Sequence, residues 1–319
     1  MSGGLDSTSL ALYMLSQGYE IRAYGFNYGQ KHDVELSLVK KNIAYLQSKG
    51  YPITHQTIDL RDAFSDSSSS LHKGGDTIPE GDYRDETMKS TVVENRNIIF
   101  SSIIYGKALA WANKTQSDVV ITLGLHAGDH TIYPDCRPES QEMARELFRI
   151  SNWGSERVDY IAPFIKIDKG TVLKKGIESC EKLGIDWKVI YSNTISCYNP
   201  DELGRSCGKC GTCVERIEAF EKLGLKDPIA YQDTPEVEHE FVLRFFNSKN
   251  EEMGTSEILV KSNITDKEVA FNTLPFCDPF VREAKERLYN SHSIRQEIVQ
   301  VGVTGLADDK FGCLLVALI

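Results

Sequence analysis

Apolar positions along the first half of the chain follow two alternating rhythms. Residues 6–17 (DSTSLALYMLSQ) repeat at helical spacing behind a glycine-rich turn, and residues 20–26 (EIRAYGF) then read as a strand. Residues 33–48 put Val34, Leu38, Ile43 and Leu46 on one broad helical face. The same reasoning predicts an extended stretch over 52–60, a helix near 96–113 and a strand over 118–124 (DVVITLG). A helix over 138–149, a strand over 157–162 and a helix over 168–184 follow. Such alternation predicts an α/β fold, a doubly wound parallel sheet with helices on both faces.

Two regions depart from this rhythm. Residues 65–86 (SDSSSSLHKGGDTIPEGDYRDE) are rich in Ser, Gly and Asp and carry little apolar content. They predict a disordered surface insert, with a mobile lid beside an active site as the alternative. Past Asp233 the strand-like runs EFVLRFF and SEILVKSNI, a helix near 279–290 and a strand over 296–303 predict a small α+β appendage over 234–310. The chain thus divides into a core over 1–233 and this appendage. A chain of 319 residues is about two domains at ~150 residues each.

Composition narrows the function. The chain is 41% hydrophobic and 26% charged, enough to bury a full core, and contains no apolar run of the ~18 residues that a membrane span needs. Its formal net charge of −10 repels phosphate backbones at long range, so no direct nucleic-acid contact is expected. Of eight cysteines, Cys197, Cys207, Cys210 and Cys213 crowd together while Cys136, Cys180, Cys277 and Cys313 are scattered. Without a secretory leader this predicts a reducing, cytoplasmic setting and one metal site.

Chemistry begins at Ser2-Gly3-Gly4-Leu5-Asp6-Ser7-Thr8, which runs straight into a helix. Paired glycines let the backbone approach an anion closely, and the free N–H groups of a helix start supply the binding field. The hydroxyls of Ser2, Ser7 and Thr8 add donors. A Walker A loop is absent, since Gly204-Arg-Ser-Cys-Gly208-Lys209-Cys210 has the wrong spacing and no hydroxyl after the lysine. The SGGLDS run resembles the signature of PP-loop ATP pyrophosphatases, which cut ATP between the α and β phosphates and activate a substrate as its adenylate. A loop of this kind hangs from the carboxyl end of a central strand. The apolar run Cys313-Leu-Leu-Val-Ala-Leu-Ile319 reads as a strand buried on both faces. Residues 311–319 are therefore expected to complete the core sheet, which would make the chain a circular permutant. The alternative is that they complete the appendage.

The cysteine cluster runs Cys197, Cys207, Cys210, Cys213, with nine, two and two residues between successive members. Four thiolates at this spacing close a tetrahedron, and the knuckle over 196–214 predicts structural Zn²⁺ with no open position for a catalytic water. Iron–sulfur ligation is disfavoured by the spacing and by the missing Cys-Pro.

Phosphate loop and cysteine knuckle together resemble the QueC family of 7-cyano-7-deazaguanine synthases, across residues 2 to about 233. Tyr28-Gly29-Gln30-Lys31-His32, with Glu35 beyond, is similar to the family's YGQ-[KR]-H…E block. Arg96-Asn97 matches the end of its V-P-[GA]-R-N motif, and Gly124…Asp129…Tyr133-Pro134-Asp135-Cys136-Arg137 resembles its G…D…YPDCR. Lys169 falls where the family has a lysine opening a helix, and Arg216, Phe220, Asp227-Pro228 and Tyr231 follow the last cysteine as expected. The chain departs from the family at Glu94-Asn95, at His130-Thr131-Ile132 and at Ser140. The appendage lies outside the pattern.

The resemblance implies an AMP-forming carbon–nitrogen ligase of queuosine biosynthesis acting on 7-carboxy-7-deazaguanine, ammonia and ATP, with Mg²⁺ accompanying the nucleotide. It places Ser2 to Thr8 around the pyrophosphate and makes Asp6, Arg96 and Lys169 the catalytic candidates. Tyr28, Gln30, His32, Asn97, Asp129, Asp135 and Arg137 become candidates for the deazaguanine, Asp135 as acceptor from a guanine-like face and Asp129 for metal or substrate. Cys136 reads as a packed thiol. The alternative within the same resemblance is an anti-phage defence enzyme that attaches a deazaguanine to a protein partner, with 234–310 as the docking module. A homodimer is also compatible with the sequence. A zinc-knuckle nucleic-acid binder and a tRNA-thiolating PP-loop enzyme both need a basic surface that this acidic chain lacks.

Overall fold

A computed structural model describes residues 1–81, 86–233, 237–246, 252–262, 299–302 and 313–315. Contacts divide the chain into Met1–Asp233 and Thr234–Ile319. No helix among the described residues is long and apolar enough to cross a membrane.

In the first unit, helix α1 (Leu5–Ser16) forms because Leu5, Leu10, Leu12, Met14 and Leu15 all turn inward, and each is buried. It lies against α5 (Lys169–Lys182). Gly176 on α5 permits that approach, since a Cβ there would stand 1.9 Å from the Tyr191 hydroxyl and 2.8 Å from Ser9 Oγ. The Tyr191 and Ser9 hydroxyls are themselves 2.7 Å apart. Val39, Ile43 and Leu46 of α2 (Glu35–Ser48) and Ala219 and Phe220 of α7 (Gly211–Lys222) close the same core. The short α6 (Trp187–Ser192) adds Ile190 and Tyr191. A second core joins Tyr105, Ala108 and Ala112 of α3 (Arg96–Thr115) to Ala144 and Phe148 of α4 (Pro138–Ile150).

Strands β1 (Ile21–Asn27) and β2 (Ile53–Asp59) pair in parallel from Ile21 opposite Ile53 to Asn27 opposite Asp59. Strands β3 (Val119–Thr122) and β4 (Val158–Ile161) form a second parallel ladder. The α/β class with parallel strands is as expected, and every element predicted before residue 184 is present within a few residues of its expected bounds. The single sheet is a different matter: the described residues form two separate two-stranded ladders in this unit. Within each ladder the strands run parallel. The turns after β1, β3 and β4 carry Tyr28 to His32, Gly124 to Asp129 and the approach to Lys169, so the candidate chemistry gathers at carboxyl ends.

The expectation of a disordered insert fails over residues 65–81. Ser69, Ser70 and Leu71 are buried. Lys31 N–H donates to Leu71 O at 2.8 Å, Lys73 N–H to Gly29 O at 2.8 Å and Gly81 N–H to Lys209 O at 2.9 Å. Backbone bonds to neighbouring loops supply this order together with Leu71, which is buried beside Tyr28, Phe64 and Val93. Residues 82–85 lie outside the described residues.

In the second unit β5 (Val237–Phe246), β6 (Glu252–Ser262), β7 (Val299–Gly302) and β8 (Cys313–Leu315) form an antiparallel sheet in the order β6-β5-β7-β8. The helix expected near 279–290 lies outside the described residues. Of residues 311–319, expected to complete the core sheet, Cys313–Leu315 are described, and they pair antiparallel with Val299–Val301 in the second unit's sheet. The rest of 311–319 lies outside the described residues.

Candidate functional site

The phosphate loop folds by hydrogen-bonding to itself. Ser2 N–H donates to Ser7 Oγ at 3.1 Å, Gly4 N–H donates to Ser2 Oγ at 3.1 Å, and the Ser2 and Ser7 hydroxyls lie 3.2 Å apart. Gly3 takes φ +113°, and a Cβ on it would stand 2.4 Å from the Glu35 carbonyl oxygen, a backbone atom that cannot swing away. Gly3→Ala is therefore expected to cost at least ~2 kcal/mol, or about 4–8 °C in Tm, and most ATP turnover. A thermal melt and an AMP-release assay check this. Gly4 caps α1 without a side chain, leaving the first helical N–H groups available to an anion. Leu5 is fully buried in the core, so it serves the loop through its backbone alone. Thr8 is also fully buried, and its Oγ1 has no protein partner.

Behind the loop stands a charged cluster. Lys169 opens α5 and is 4% exposed, with Nζ 2.7 Å from Glu215 Oε2 and 3.4 Å from Asp6 Oδ2. Burial alone would push its ammonium down, but the Asp6 and Glu215 carboxylates outweigh that and hold it above the ordinary lysine range. His126 lies in the same place, with Nε2 3.8 Å from both Asp6 Oδ2 and Asp129 Oδ1. Its Nδ1 accepts from Gly128 N–H at 3.1 Å, which puts the ring proton on Nε2, facing those carboxylates. Burial raises the Asp129 carboxyl above its usual range against the opposing pull of His126 and Lys169. Asp6 Oδ1 is buried and has no partner.

Arg96 stands in a second cluster. Its Nη1 donates to the Tyr28 hydroxyl at 3.2 Å, and its guanidinium carbon lies 5.6 Å from the Tyr28 ring centre and 5.9 Å from that of Tyr133. Burial pushes the Tyr28 phenol up to about 12. Asn97 N–H donates to Asp135 Oδ2 at 3.3 Å, and Asn97 Nδ2 donates to Cys136 Sγ at 3.2 Å. Burial raises Cys136 far above a reactive thiol's range, as a packed thiol should be. Tyr133 and Tyr198 hydroxyls lie 3.3 Å apart, and Tyr198 packs beside the His32 ring at 5.5 Å.

Two of the expected contact residues have protein partners of their own. Gln30 is fully buried and accepts from Tyr28 N–H at 2.9 Å while donating to Phe26 O at 3.0 Å and Glu35 Oε1 at 3.1 Å. It shapes the loop after β1. Arg137 is exposed and donates to the His130 carbonyl at 3.0 Å, capping the turn before α4.

The four knuckle cysteines are buried, and their Sγ atoms all lie within 4.8 Å of one another. Zn–S bonds of about 2.3 Å in a tetrahedron set sulfurs about 3.8 Å apart, and Cys207 Sγ and Cys213 Sγ are 3.9 Å apart. Cys207 N–H points at Cys197 Sγ at 3.2 Å, and Lys209 and Cys210 N–H at Cys207 Sγ at 3.4 and 3.3 Å. Such donors suit thiolates, so the donor set fits a tetrahedral metal. Cys210 is also the N-cap of α7, and Arg216 on that helix is fully buried. Arg216 holds Asp227 at 2.6 and 2.9 Å and Thr194 Oγ1 at 2.9 Å, tying the knuckle to the turn after α6.

Sequence reasoning missed His126, Glu215, Tyr133 and Tyr198 as members of these clusters. The first two left a signal: His126 follows β3 at the ligand-binding end, and Glu215 is an acid beside the buried positions 212, 216 and 219 of α7.

Comparison with known proteins gives a consistent answer. The family model described as "Queuosine biosynthesis protein QueC" matches residues 1–224. The 7-cyano-7-deazaguanine synthase of Caldicellulosiruptor saccharolyticus is 42% identical over 232 residues, covering 73% of this chain and 93% of that protein. The synthase of Marinobacter nauticus is 41% identical over 72% of this chain and 95% of its own length, and that of Methanoregula boonei 39% over 73% and 97%. With its phosphate loop, buried lysine and cysteine knuckle all inside the matched residues, this chain belongs to the QueC family.

Proposed function

We propose that residues 1–233 form an ATP-dependent ligase that converts 7-carboxy-7-deazaguanine and ammonia to 7-cyano-7-deazaguanine, releasing AMP and diphosphate. The observation that carries this reading is the buried Lys169 ammonium, held against Asp6 of the phosphate loop in a chain about 40% identical to proteins of that name. For the fold, the parallel pairing within both ladders supports the doubly wound sheet.

A carboxylate resists amination because its leaving group would be oxide. Attack of a substrate carboxylate oxygen on the α-phosphorus of ATP expels pyrophosphate and leaves an acyl adenylate. Ammonia then displaces AMP to give the amide. The amide oxygen attacks a second ATP, and loss of AMP with a proton leaves the nitrile. The loop N–H groups and the Ser2, Ser7 and Thr8 hydroxyls surround the pyrophosphate, and Lys169 neutralises charge developing on it. Arg96, between Tyr28 and Tyr133, faces the substrate carboxylate, and Asp135 accepts from the amino-pyrimidinone edge as a charge-assisted partner. Asp6, whose Oδ1 is buried and unpartnered, and Asp129 are the residues that would hold Mg²⁺, which supplies further neutralisation of the polyphosphate. The knuckle cysteines hold structural zinc. We assign the second unit no part in this reaction.

The test is mass spectrometry of purified protein incubated with ATP, Mg²⁺, ammonium and the carboxy-deazaguanine. Two AMP for each nitrile is the expected yield. AMP release without nitrile, even after prolonged incubation, would sink the reading.

A further inference from the structure

We propose that Glu215 is a positioning residue for adenylation: its carboxylate aims the Lys169 ammonium at the nucleotide and ties that aim to the cysteine knuckle. This rests on the reading of Lys169 and the phosphate loop as the ATP site.

The geometry has three parts. Lys169 Nζ lies between two carboxylates on different elements, and the closer is Glu215 at 2.7 Å, against 3.4 Å for Asp6. A lysine ammonium on four rotatable carbons has no preferred direction of its own. Here it is 4% exposed, so its direction is set by these partners. Next, space has been kept for Glu215. A Cβ on Gly128 would stand 2.3 Å from Glu215 Oε1 and 2.9–3.0 Å from the His126 ring. The loop after β3 therefore leaves out a side chain where the Glu215 carboxylate sits. Finally, Glu215 lies two residues past Cys213 and in the first turns of α7, whose N-cap is Cys210. The ligands that close round the metal thus fix where this carboxylate begins. A chain of short links follows: knuckle, α7, Glu215, Lys169, Asp6.

Removing the Glu215 charge leaves Asp6, at 3.4 Å, as the nearest carboxylate to Lys169, and the ammonium turns toward the loop aspartate and away from the leaving group. The loop donors that bind polyphosphate are untouched. The cost should fall on kcat, with KM for ATP little changed.

The experiment follows carboxylate-dependent exchange of labelled pyrophosphate into ATP, alongside zinc content and Tm, in the zinc-loaded full chain. Glu215→Gln should lower the exchange kcat at least tenfold with KM for ATP within about threefold, at unchanged zinc content and Tm. Glu215→Asp should recover part of the rate. Gly128→Ala, which displaces the carboxylate without removing its charge, should lower kcat in the same direction by a smaller factor. Exchange in both Glu215→Gln and Gly128→Ala within twofold of the parent overturns the proposal. A loss of zinc or Tm that accounts for the lost rate also overturns it, because Glu215 is then only structural. Absence of exchange in the unaltered protein contradicts instead the underlying assignment of the ATP site, and the Glu215 proposal falls with it.

Discussion

Lys169→Met is expected to lower kcat for adenylation by 10²–10³, about 3–4 kcal/mol of transition-state stabilisation. Methionine keeps much of the apolar stem but removes the only ammonium placed between Asp6 and Glu215 in this cluster. Asp6, Asp129 and Glu215 would then face the incoming polyphosphate without the ammonium to offset them. The uncancelled charge should raise KM for ATP as well as lower kcat, which separates this variant from Glu215→Gln. Lys169→Arg should recover little, because a planar fork cannot occupy the volume of a compact ammonium wedged at 2.7 Å from one carboxylate. Tm should move less than activity does, since Asp6 and Glu215 are both about one-fifth exposed and can take up water. Steady-state kinetics with a parallel melt decide it. Turnover within fivefold of the parent would remove Lys169 from the chemistry.

Stripping the knuckle of metal is expected to have the larger effect on the fold. A structural zinc site can supply ~10 kcal/mol, against a typical domain stability of about 5–15 kcal/mol. Without it, four buried thiols within 4.8 Å lack a common partner. Cys210 would cease to fix the start of α7, and Arg216, fully buried, would lose the framework that pairs it with Asp227 and Thr194. Cys213→Ser or exhaustive chelation should therefore abolish cooperative melting of the first unit, and zinc added before aggregation should restore it to the chelated protein. Circular dichroism melts with metal analysis are the measurement. An unchanged Tm after verified removal of the metal would show that packing alone holds this region.

Helix and strand rhythm made most of the first unit legible because its elements are amphipathic on scales of 4 to 20 residues. The chemistry was legible where it is local: the phosphate loop and the cysteine spacing depend on residues close in sequence. What escaped is carried by contacts between distant segments. Glu215 meets Lys169 46 residues away, and Tyr133 meets Tyr198 65 residues away. No periodicity reports such meetings. Arg137 shows the same limit: its motif position does not announce that its Nε donates to the His130 carbonyl. The apolar run near the carboxyl end announced a strand at Cys313–Leu315, but hydrophobicity does not name the neighbour a strand pairs with, here Val299–Val301.

Residues 69–81 are held by main-chain bonds at both ends, by Leu71 and Ile78 in apolar clusters, and by the Lys31 ammonium on the Gly75 and Asp76 carbonyls. Serine and glycine side chains forfeit almost no rotamer freedom on docking, so a handful of main-chain bonds is enough to hold them. Those bonds reach the Gln30–Lys31 turn at one end and, through Gly81 and Lys209, the knuckle at the other. The segment therefore spans two footings, with Leu71 and Ile78 packed into the apolar clusters between them. One footing lies at the cysteine cluster and the other at the loop after β1, so the segment bridges two motifs that are far apart in sequence.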